Sequence, residues 1–161
     1  MSSKFTKLSS LKGTVQMKKV EIYTDGACSG TPGKGGWGAI LKYKEHKKEI
    51  SGYCPETTNN RMELTAVIEA LKALKEPCEI VIHSDSQYFC NAIKNGWAKT
   101  WQKNGWKKSD KKPALNSDLW QELLDLLQRH SAEIEWVKGH AGHPENERCD
   151  YLATNQIAKN K

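Results

Sequence analysis

The chain has 161 residues, of which 37% are hydrophobic, a size that suits one globular domain whose core needs neither disulfides nor a structural zinc. The net charge of +6 is unevenly distributed: residues 1–19 contain five lysines and no acid, residues 91–112 contain seven lysines and one aspartate, and the rest of the chain is acidic. This pattern favours a protein that grips a polyanion with basic segments and concentrates acids elsewhere, although lysine runs can also be plain solvated surface.

The first part of the chain predicts three strands after a polar tail. Residues 1–17 are rich in Ser, Lys and Thr, and we expect them to form a disordered basic tail. From Val20 the segment V-E-I-Y-T-D reads as a strand, and a loop from Gly30 to Gly36 separates it from two further strands. The short connections predict an antiparallel meander.

The remainder predicts helices that alternate with two more strands. Helices are expected over about 61–75, over about 86–95, from 116 or 117 onward, and over about 145–159. Asn59 or Asn60 would cap the first, and Pro77 enforces its end. The segments E-I-V-I-H-S-D and E-I-E-W-V-K predict the fourth and fifth strands. The order βββαβααβα indicates an α/β fold with one five-stranded mixed sheet flanked by helices, in a single domain over 18–161 with a basic protrusion at about 96–113.

The number and spacing of the cysteines and the absence of long apolar runs indicate the cellular compartment. The five cysteines are odd in number and form no C-x-x-C pair, which is typical of a reducing environment. No apolar run approaches the ~18 residues of a membrane span, and the N-terminus lacks the apolar stretch of a secretory signal. We therefore expect a cytoplasmic monomer that does not associate with membranes.

Four acids occupy positions where a folded chain rarely places them. Asp25 and Asp85 each close a strand that reads as buried, and ligands of open α/β sheets collect at the carboxyl ends of strands. Glu63 and Asp150 each lie on a helical stripe whose other members are apolar, so both should point toward the sheet. Any one of these acids alone could be a helix cap or half of an ion pair.

The four acids together predict a metal site. Clustered carboxylates repel one another unless hard divalent cations neutralise them, and oxygen ligands favour Mg²⁺ or Mn²⁺ over zinc. Two-metal phosphoryl transfer is the chemistry that suits such a ligand set. His140, in a loop with two glycines, is a candidate for proton transfer or product release beside Asp150; the alternative is a solvated loop histidine.

Four strings of residues occur in one order along the chain. They are Y-T-D-G-A-C at 23–28, T-T-N-N-R-M-E-L at 57–64, S-D-S-Q-Y at 84–88 and W-V-K-G-H-A-G-H-P-E-N-E-R-C-D at 136–150. Over about residues 19–158 the chain resembles ribonuclease H type 1, specifically the bacterial form with a basic protrusion. The resemblance implies a ribonuclease H-like fold and an endoribonuclease that hydrolyses the RNA strand of RNA–DNA hybrids, leaving 3′-hydroxyl and 5′-phosphate ends.

The resemblance also assigns roles to residues. It makes Asp25, Glu63, Asp85 and Asp150 the catalytic acids that bind two Mg²⁺ ions, with Mn²⁺ as a substitute, and it makes His140 the mobile histidine that assists proton transfer or product release. Selectivity for hybrid requires polar side chains that read the 2′-hydroxyl in the minor groove. The implied substrate contacts outside the protrusion are Cys28, Thr58, Asn59, Asn60, Gln87 and Asn146. Asn59 and Asn60 could serve as helix caps as well.

The segment 97–108 interleaves tryptophans with lysines. In the family the matching segment grips the DNA strand, which implies contacts from Trp97, Lys99, Trp101, Lys103 and Trp106. Lysines supply phosphate attraction that weakens with salt, and tryptophans pack on sugar or base faces. At least one of the tryptophans is also expected to fill a small core beneath the segment.

One position departs from the family, and two other functions are to be weighed. Thr31 stands where bacterial members usually carry Asn, at a position that makes one minor-groove contact. A catalytically silent hybrid- or duplex-binding module is one alternative, and the presence of all four acids argues against it. A related nuclease or strand-transfer enzyme acting on DNA is the other, and the polar minor-groove residues and the His140 loop argue against it.

Overall fold

Five strands form one mixed sheet in the computed structural model, which describes residues 17–107, 115–138 and 143–160. The strands are β1 (Lys18–Cys28), β2 (Gly33–Tyr43), β3 (His46–Thr57), β4 (Cys78–Ser84) and β5 (Ser131–Trp136). Their order across the sheet is β3-β2-β1-β4-β5. The first three pair antiparallel, whereas β4 runs parallel to both β1 and β5. The predicted meander and mixed sheet are confirmed.

Helices follow the strands in the predicted order. Within the described ranges they are α1 (Asn59–Lys72), α2 (Gln87–Lys94), α3 (Trp97–Lys103), α4 (Ser117–Leu127) and α5 (Pro144–Lys159). The basic segment expected between two helices contains the short helix α3, which the sequence did not indicate. The α/β class is confirmed.

Side-chain alternation along the strands explains where the main core lies. In β4 the even-numbered residues from Cys78 to Ser84 are buried, while those between them are partly exposed, as expected for a strand that presents one face to a core. The core lies between the sheet and the helices α1, α2 and α4. Its largest fully buried side chains include Trp120, Phe89, Ile22, Leu64, Leu71, Ile80 and Ile82.

Helices α1 and α5 cover opposite faces of the sheet, because odd and even residues of β2 point to opposite sides. A Cβ atom on Gly35 would lie 2.8 Å from Cγ of Met62 in α1, whereas a Cβ atom on Gly38 would lie 2.8 Å from the carbonyl oxygen of Cys149 in α5. The glycines therefore allow both helices to approach the strand closely. The loop between β1 and β2 spans only residues 29–32. The sequence predicted a loop from Gly30 to Gly36, and residues 33–36 of that prediction belong to β2 instead.

One helix cap also differs from the prediction. Thr58 caps α1, and its Oγ1 accepts a hydrogen bond from the backbone nitrogen of Arg61 at 3.3 Å. Asn59 and Asn60 are instead the first two residues of the helix, and both are exposed. Threonine and asparagine are both good caps, so residue type alone could not choose among the three neighbours.

Some sequence predictions concern residues outside the described ranges. The predicted tail lies outside the described residues apart from Met17, and so does the part of the protrusion after Lys107. All five cysteines are described, and all are free thiols. Among the helices that the structure describes, none combines the length and apolar character needed to cross a membrane.

Candidate active site

Two of the predicted acids come from neighbouring parallel strands. Thr24 of β1 pairs with Ser84 of β4, so the residues that follow, Asp25 and Asp85, lie side by side at one edge of the sheet. Asp25 is only 5% exposed, and its Oδ1 accepts a hydrogen bond from the backbone nitrogen of Gly26 at 2.9 Å. The strand register thus places Asp25, within β1, beside Asp85, the first residue after β4.

Glu63 reaches the same edge from α1. It lies on the buried face of the helix with Val67 and Ala70, and it is 7% exposed. Helix and strand come into contact at Gly26, where an added Cβ atom would lie 2.5 Å from the backbone nitrogen of Glu63. The absence of a side chain at Gly26 therefore allows the Glu63 carboxylate to lie beside the strand ends.

Asp25, Glu63 and Asp85 form a cluster that we call the acid cluster: one carboxylate oxygen from each lies within 4.8 Å of the others. The fourth predicted acid, Asp150, comes from α5 and lies close enough to Asp25 for its charge to raise the pKa of that carboxyl. Asp150 is half-buried. The structure thus brings three of the predicted acids into mutual contact and places the fourth at their side.

Burial and repulsion by neighbouring charges disfavour the charged forms of Asp25 and Glu63. Desolvation, followed by the charges of Asp85 and Asp150, raises the pKa of Asp25 to about 8. Desolvation, followed by the charges of Asp25 and Asp85, holds the pKa of Glu63 well above its ordinary value. Without a cation Asp25 and Glu63 therefore tend to hold protons at neutral pH, and a cation that neutralised the cluster would favour their charged forms.

The donor set of the acid cluster fits a hard divalent cation. Its ligand atoms are carboxylate oxygens from β1, from α1 and from the residue that follows β4, and such oxygens suit Mg²⁺ or Mn²⁺. The same repulsion that raises the pKa of Asp25 is what a cation placed between the carboxylates would neutralise. The arrangement is compatible with divalent metal binding.

Exposed polar side chains flank the acid cluster at two helix N-termini. Asn59 and Asn60 open α1, one turn before Glu63, and Gln87 opens α2, two residues after Asp85. All three amides are exposed. Along the chain, Asn59 and Asn60 lie within about one helical turn of Glu63, and Gln87 lies two residues after Asp85.

Thr58 and Cys28, two further residues predicted to contact the substrate, also form hydrogen bonds with neighbouring residues. The half-buried Thr58 side chain is engaged as the cap of α1. The half-buried Cys28 thiol donates to the carbonyl oxygens of Gly30 and Thr57 at 3.0 and 3.3 Å. Its backbone, at the end of β1, is the part that the sequence comparison with the family implicated.

The tryptophans of the protrusion divide into exposed and packed side chains. Trp97 is 47% exposed. Trp101 packs edge-on against Trp120 with ring centroids 6.2 Å apart, and Nε1 of Trp106 donates to the Gln121 side chain at 3.2 Å. The expectation that at least one tryptophan fills a small core is confirmed, because both Trp101 and Trp106 pack against the main core. The side chains of Lys99 and Lys103 are exposed on α3.

Two predicted residues belong to the segment around the start of α5. Asn146 is only 5% exposed, and its Oδ1 has no hydrogen-bond partner within the described part of the chain. It lines a cavity of about 280 Å³ together with Trp136 and His143, so a ligand would have to reach it through that cavity. His140 lies outside the described residues.

A network around Arg61 was not anticipated from the sequence. The guanidinium donates to both carboxylate oxygens of Asp118 at 3.1 and 2.7 Å and to the side-chain oxygen of Asn116 at 3.2 Å. The amide nitrogen of Asn116 donates in turn to the hydroxyl of Tyr88 at 3.1 Å. The network ties the starts of α1 and α4 together, next to the exposed asparagines. The arginine inside T-T-N-N-R-M-E-L was its only local signal.

Comparison with known proteins places this geometry in a family. The RNase H family model matches residues 17–158. A ribonuclease H of Chlorobium phaeobacteroides (strain BS1) is 59% identical over 144 residues, which cover 89% of this chain and 99% of the relative. A ribonuclease H of Thermoanaerobacter sp. (strain X514) is 61% identical over 141 residues, covering 88% of this chain and 91% of the relative.

Solved structures agree with the sequence relatives. LC9-RNase H1, a type 1 RNase H with the type 2 active-site motif, superposes with a TM-score of 0.81 at 31% identity, covering 91% of this chain and 75% of its own. LC11-RNase H1, solved in complex with an RNA/DNA hybrid, gives a TM-score of 0.66 at 25% identity and covers 88% of this chain and 98% of its own. From its sequence relatives, its fold and the position of its acid cluster, this chain is a member of the RNase H family.

Proposed function

We propose that this protein is an endoribonuclease that hydrolyses the RNA strand of RNA–DNA hybrids and leaves 3′-hydroxyl and 5′-phosphate ends. The observation that carries the proposal is the acid cluster: three carboxylates within 4.8 Å of one another at the edge of a ribonuclease H-type sheet. The raised pKa values of Asp25 and Glu63 indicate that the fold accepts an electrostatic cost at this place. A cost of this kind is typical of a site that performs chemistry.

Asp25, Glu63, Asp85 and Asp150 would hold the cations, for which we propose two Mg²⁺ ions, with Mn²⁺ as a substitute. When bound, such ions supply Lewis-acid activation and charge neutralisation for phosphoryl transfer. The chain's own contribution is to present carboxylates from β1, from α1, from α5 and from Asp85, the residue that directly follows β4. The hydrogen bond from the Gly26 nitrogen further fixes the orientation of Asp25.

Recognition of the RNA strand is proposed for the polar side chains that flank the acid cluster. Asn59, Asn60 and Gln87 are exposed amides that can donate to and accept from a 2′-hydroxyl, the group that distinguishes RNA from DNA in the minor groove. Thr58 and the backbone at Cys28 would contact the sugar-phosphate chains. Amides suit this task because they form hydrogen bonds without adding charge near the carboxylates.

Two further roles are proposed for His140 and Asn146, which both lie in the segment 136–150. We propose that His140 assists proton transfer or product release, a role supported by the string that surrounds it in the sequence and by the ordinary pKa of histidine near neutrality. We propose that Asn146 contacts the nucleic acid through its unpartnered Oδ1, which faces no donor among the residues described.

Binding of the DNA strand is proposed for the basic protrusion. Lys99, Lys103 and Lys107 are exposed and would attract phosphates, while Trp97 offers an exposed aromatic face. Trp101 and Trp106 would hold the protrusion on the core and would contact the strand only with their exposed edges.

We also propose that the protein acts as a cytoplasmic monomer. Its five free thiols support a reducing compartment, because none of the cysteines is paired. The domain that acts is proposed to span residues 18–161.

Comparison of substrates tests the proposed function. End-labelled RNA–DNA hybrid, RNA duplex and DNA duplex of one sequence would be incubated with the protein and Mg²⁺. We expect cleavage of the RNA strand in the hybrid alone, with 5′-phosphate ends on the products. Binding of hybrid without cleavage would indicate a silent binding module instead, and equal cleavage of DNA duplex would indicate a DNA nuclease.

A further inference from the structure

Two helices begin with amides that would contact the RNA strand, and side-chain hydrogen bonds join the starts of these helices. Asn60 is followed by Arg61 in α1, and Gln87 is followed by Tyr88 in α2. Arg61 and Tyr88 both bond to side chains at the start of α4. We call the side chains that take part the helix-start network; its four members are Arg61, Tyr88, Asn116 and Asp118.

Asn116 connects the two ends of the helix-start network. Its Oδ1 accepts a hydrogen bond from Arg61 at 3.2 Å, and its Nδ2 donates to the Tyr88 hydroxyl at 3.1 Å. A guanidinium can only donate, so the amide oxygen must face Arg61, and the amide nitrogen then faces Tyr88. The backbone of Asn116 has a φ of 62°, in the left-handed region that asparagine tolerates better than most residues. One side chain thus spans the distance from α1 to α2.

Further hydrogen bonds fix the orientation of both ends of the network. The Arg61 guanidinium donates to the two carboxylate oxygens of Asp118 at 3.1 and 2.7 Å, and such a parallel pair of bonds fixes the plane of the guanidinium. The Tyr88 hydroxyl also accepts from Nε1 of Trp120 at 2.8 Å, and Trp120 is fully buried. The network therefore extends from a partly exposed ion pair into the core, and it holds the starts of α1 and α2 against the same helix.

A second ion pair also joins α1 to α4, and it provides an internal comparison. Nζ of Lys72 lies 2.9 Å from Oε2 of Glu122, and these two side chains are partly exposed, as are those of Arg61 and Asp118. Lys72 is the last residue of α1, so it lies roughly 16 Å from Arg61 along the helix axis. The second pair therefore joins the same two helices at the end that is remote from the amides.

We propose that Arg61 and Tyr88 are positioning residues for substrate selection: through Asn116 they hold the amides of α1 and the amide of α2 in one relative position. The proposal rests on the proposed function, since it assumes that these amides read 2′-hydroxyls. A hydrogen bond requires its two heavy atoms to lie within roughly 3.2 Å of each other. Helix starts that shift independently would lose this match at one amide while keeping it at the other. Fixed helix starts therefore favour a strand that carries 2′-hydroxyls over one that lacks them.

Binding of labelled duplexes in Ca²⁺ tests the proposal. Fluorescence anisotropy would give the Kd of the full-length protein for RNA–DNA hybrid and for DNA duplex of the same sequence. Tyr88→Phe removes only the hydroxyl, and Arg61→Lys keeps the charge but loses the parallel pair of bonds. Asn116→Gly removes the connecting amide, while glycine adopts a φ near 62° without strain. Glu122→Ala, in the second ion pair, is the matched control.

The network variants should lose selectivity for hybrid rather than affinity for duplexes in general. Each should bind hybrid about fivefold more weakly, the effect of roughly one lost hydrogen bond, while its Kd for DNA duplex changes less than about twofold. With Mg²⁺, kcat for hybrid should stay within about twofold of the wild-type value, so that the effect lies in KM. The control Glu122→Ala should keep the wild-type ratio of the two Kd values.

A wild-type ratio of the two Kd values in Tyr88→Phe or in Arg61→Lys would overturn the proposal, and so would an equal loss of selectivity in Glu122→Ala. Urea denaturation of the same variants separates folding from positioning, because lower stability with an unchanged ratio would assign the network to folding alone. Failure of the wild type to cleave hybrid would instead refute the proposed function, and the ratio measured in Ca²⁺ would still decide the role of the network.

Discussion

Gly26 and Glu63 contact each other through their backbones at the point where β1 meets α1. A Cβ atom on Gly26 would lie 2.5 Å from the Glu63 nitrogen, and the Gly26 nitrogen donates to Asp25. One residue without a side chain thus sets the spacing between two of the carboxylates. The geometry of the acid cluster depends on this approach.

Replacement of Gly26 by alanine should therefore impair both stability and cleavage. The methyl group would meet backbone atoms of Met62 and Glu63, which cannot move aside as a flexible side chain would. We expect a loss of about 1–3 kcal/mol in the free energy of unfolding, measured by urea denaturation, and a lower kcat. Lys34→Ala, on the exposed start of β2, is the control and should change stability by less than about 0.5 kcal/mol. Wild-type stability in Gly26→Ala would show that the helix can shift freely.

Charge repulsion in the acid cluster should make the metal-free protein less stable as pH rises. Folding raises the pKa of Asp25 from 3.8 to about 8. The protonated side chain therefore contributes fully to the free energy of unfolding below pH 3.8, and this contribution is lost as the pH rises through about 8. In chelator, Asp25→Asn should remove this loss and raise the free energy of unfolding by at least roughly 1 kcal/mol above pH 8.

Thermal unfolding in chelator and in Mg²⁺ measures this effect. Mg²⁺ should raise the Tm of the wild type more than that of Asp25→Asn. Asp125→Asn, at an exposed site on α4, is the control and should behave like the wild type. A Tm of Asp25→Asn below that of the wild type in chelator would contradict the electrostatic account.

His130 should give the protein a separate sensitivity to acid. Its Nδ1 accepts a hydrogen bond from the backbone nitrogen of Cys78 at 3.0 Å, and burial, followed by the charge of Arg129, lowers its pKa below 6.5. Its contribution to stability is therefore present above pH 6.5 and is lost as pH falls through the lower folded pKa.

His130→Asn keeps an acceptor near the same position and removes the titration. Urea denaturation at several pH values below 6.5 should show that the stability advantage of the wild type over this variant shrinks with acidity. The matched control variant is His46→Asn, at the exposed start of β3. A difference between the wild type and His130→Asn that does not change with pH would mean that His130 does not couple folding to protons.

Much of this site could be predicted because its signals are local. Asp25 and Asp85 stand at the ends of short β-branched segments, and the helical stripe of Glu63 is apolar apart from that one acid. The ion pair of Arg61 with Asp118 could not be predicted, since the two residues are 57 positions apart in the sequence and no periodicity links them. The relation of Asp150 to Asp25 likewise depends on how closely α5 approaches the sheet.

Helix α3 and the cap of α1 were missed for a different reason. The Trp/Lys segment has no clear apolar periodicity, and α3 is stabilised by the packing of Trp101 on Trp120, a contact made by tertiary structure. Thr58 and the two asparagines after it are almost equally favourable N-cap residues, so residue type alone could not predict that Thr58 caps α1.

The lysines of the protrusion should govern affinity rather than chemistry. Simultaneous replacement of Lys99, Lys103 and Lys107 by alanine should raise the KM for hybrid and flatten its dependence on salt, while kcat changes little, because phosphate contacts contribute binding that depends on released counterions. Steady-state kinetics at several salt concentrations measures the slope. Lys159→Ala should keep the wild-type dependence of KM on salt. The same salt dependence in the triple variant as in the wild type would contradict a role of the protrusion lysines in binding the nucleic acid.

The most direct test of the acid cluster is cleavage of labelled RNA–DNA hybrid by the wild type, by Asp85→Asn and by Asp125→Asn, each with Mg²⁺ and with chelator. Asp85→Asn removes a carboxylate of the cluster without adding bulk, so its cleavage should be abolished while its affinity for hybrid in Ca²⁺ stays close to that of the wild type. Asp125→Asn should cleave like the wild type, and chelator should stop every reaction. Undiminished cleavage by Asp85→Asn, or by the wild type in chelator, would contradict the assignment of the acid cluster as the metal-dependent active site.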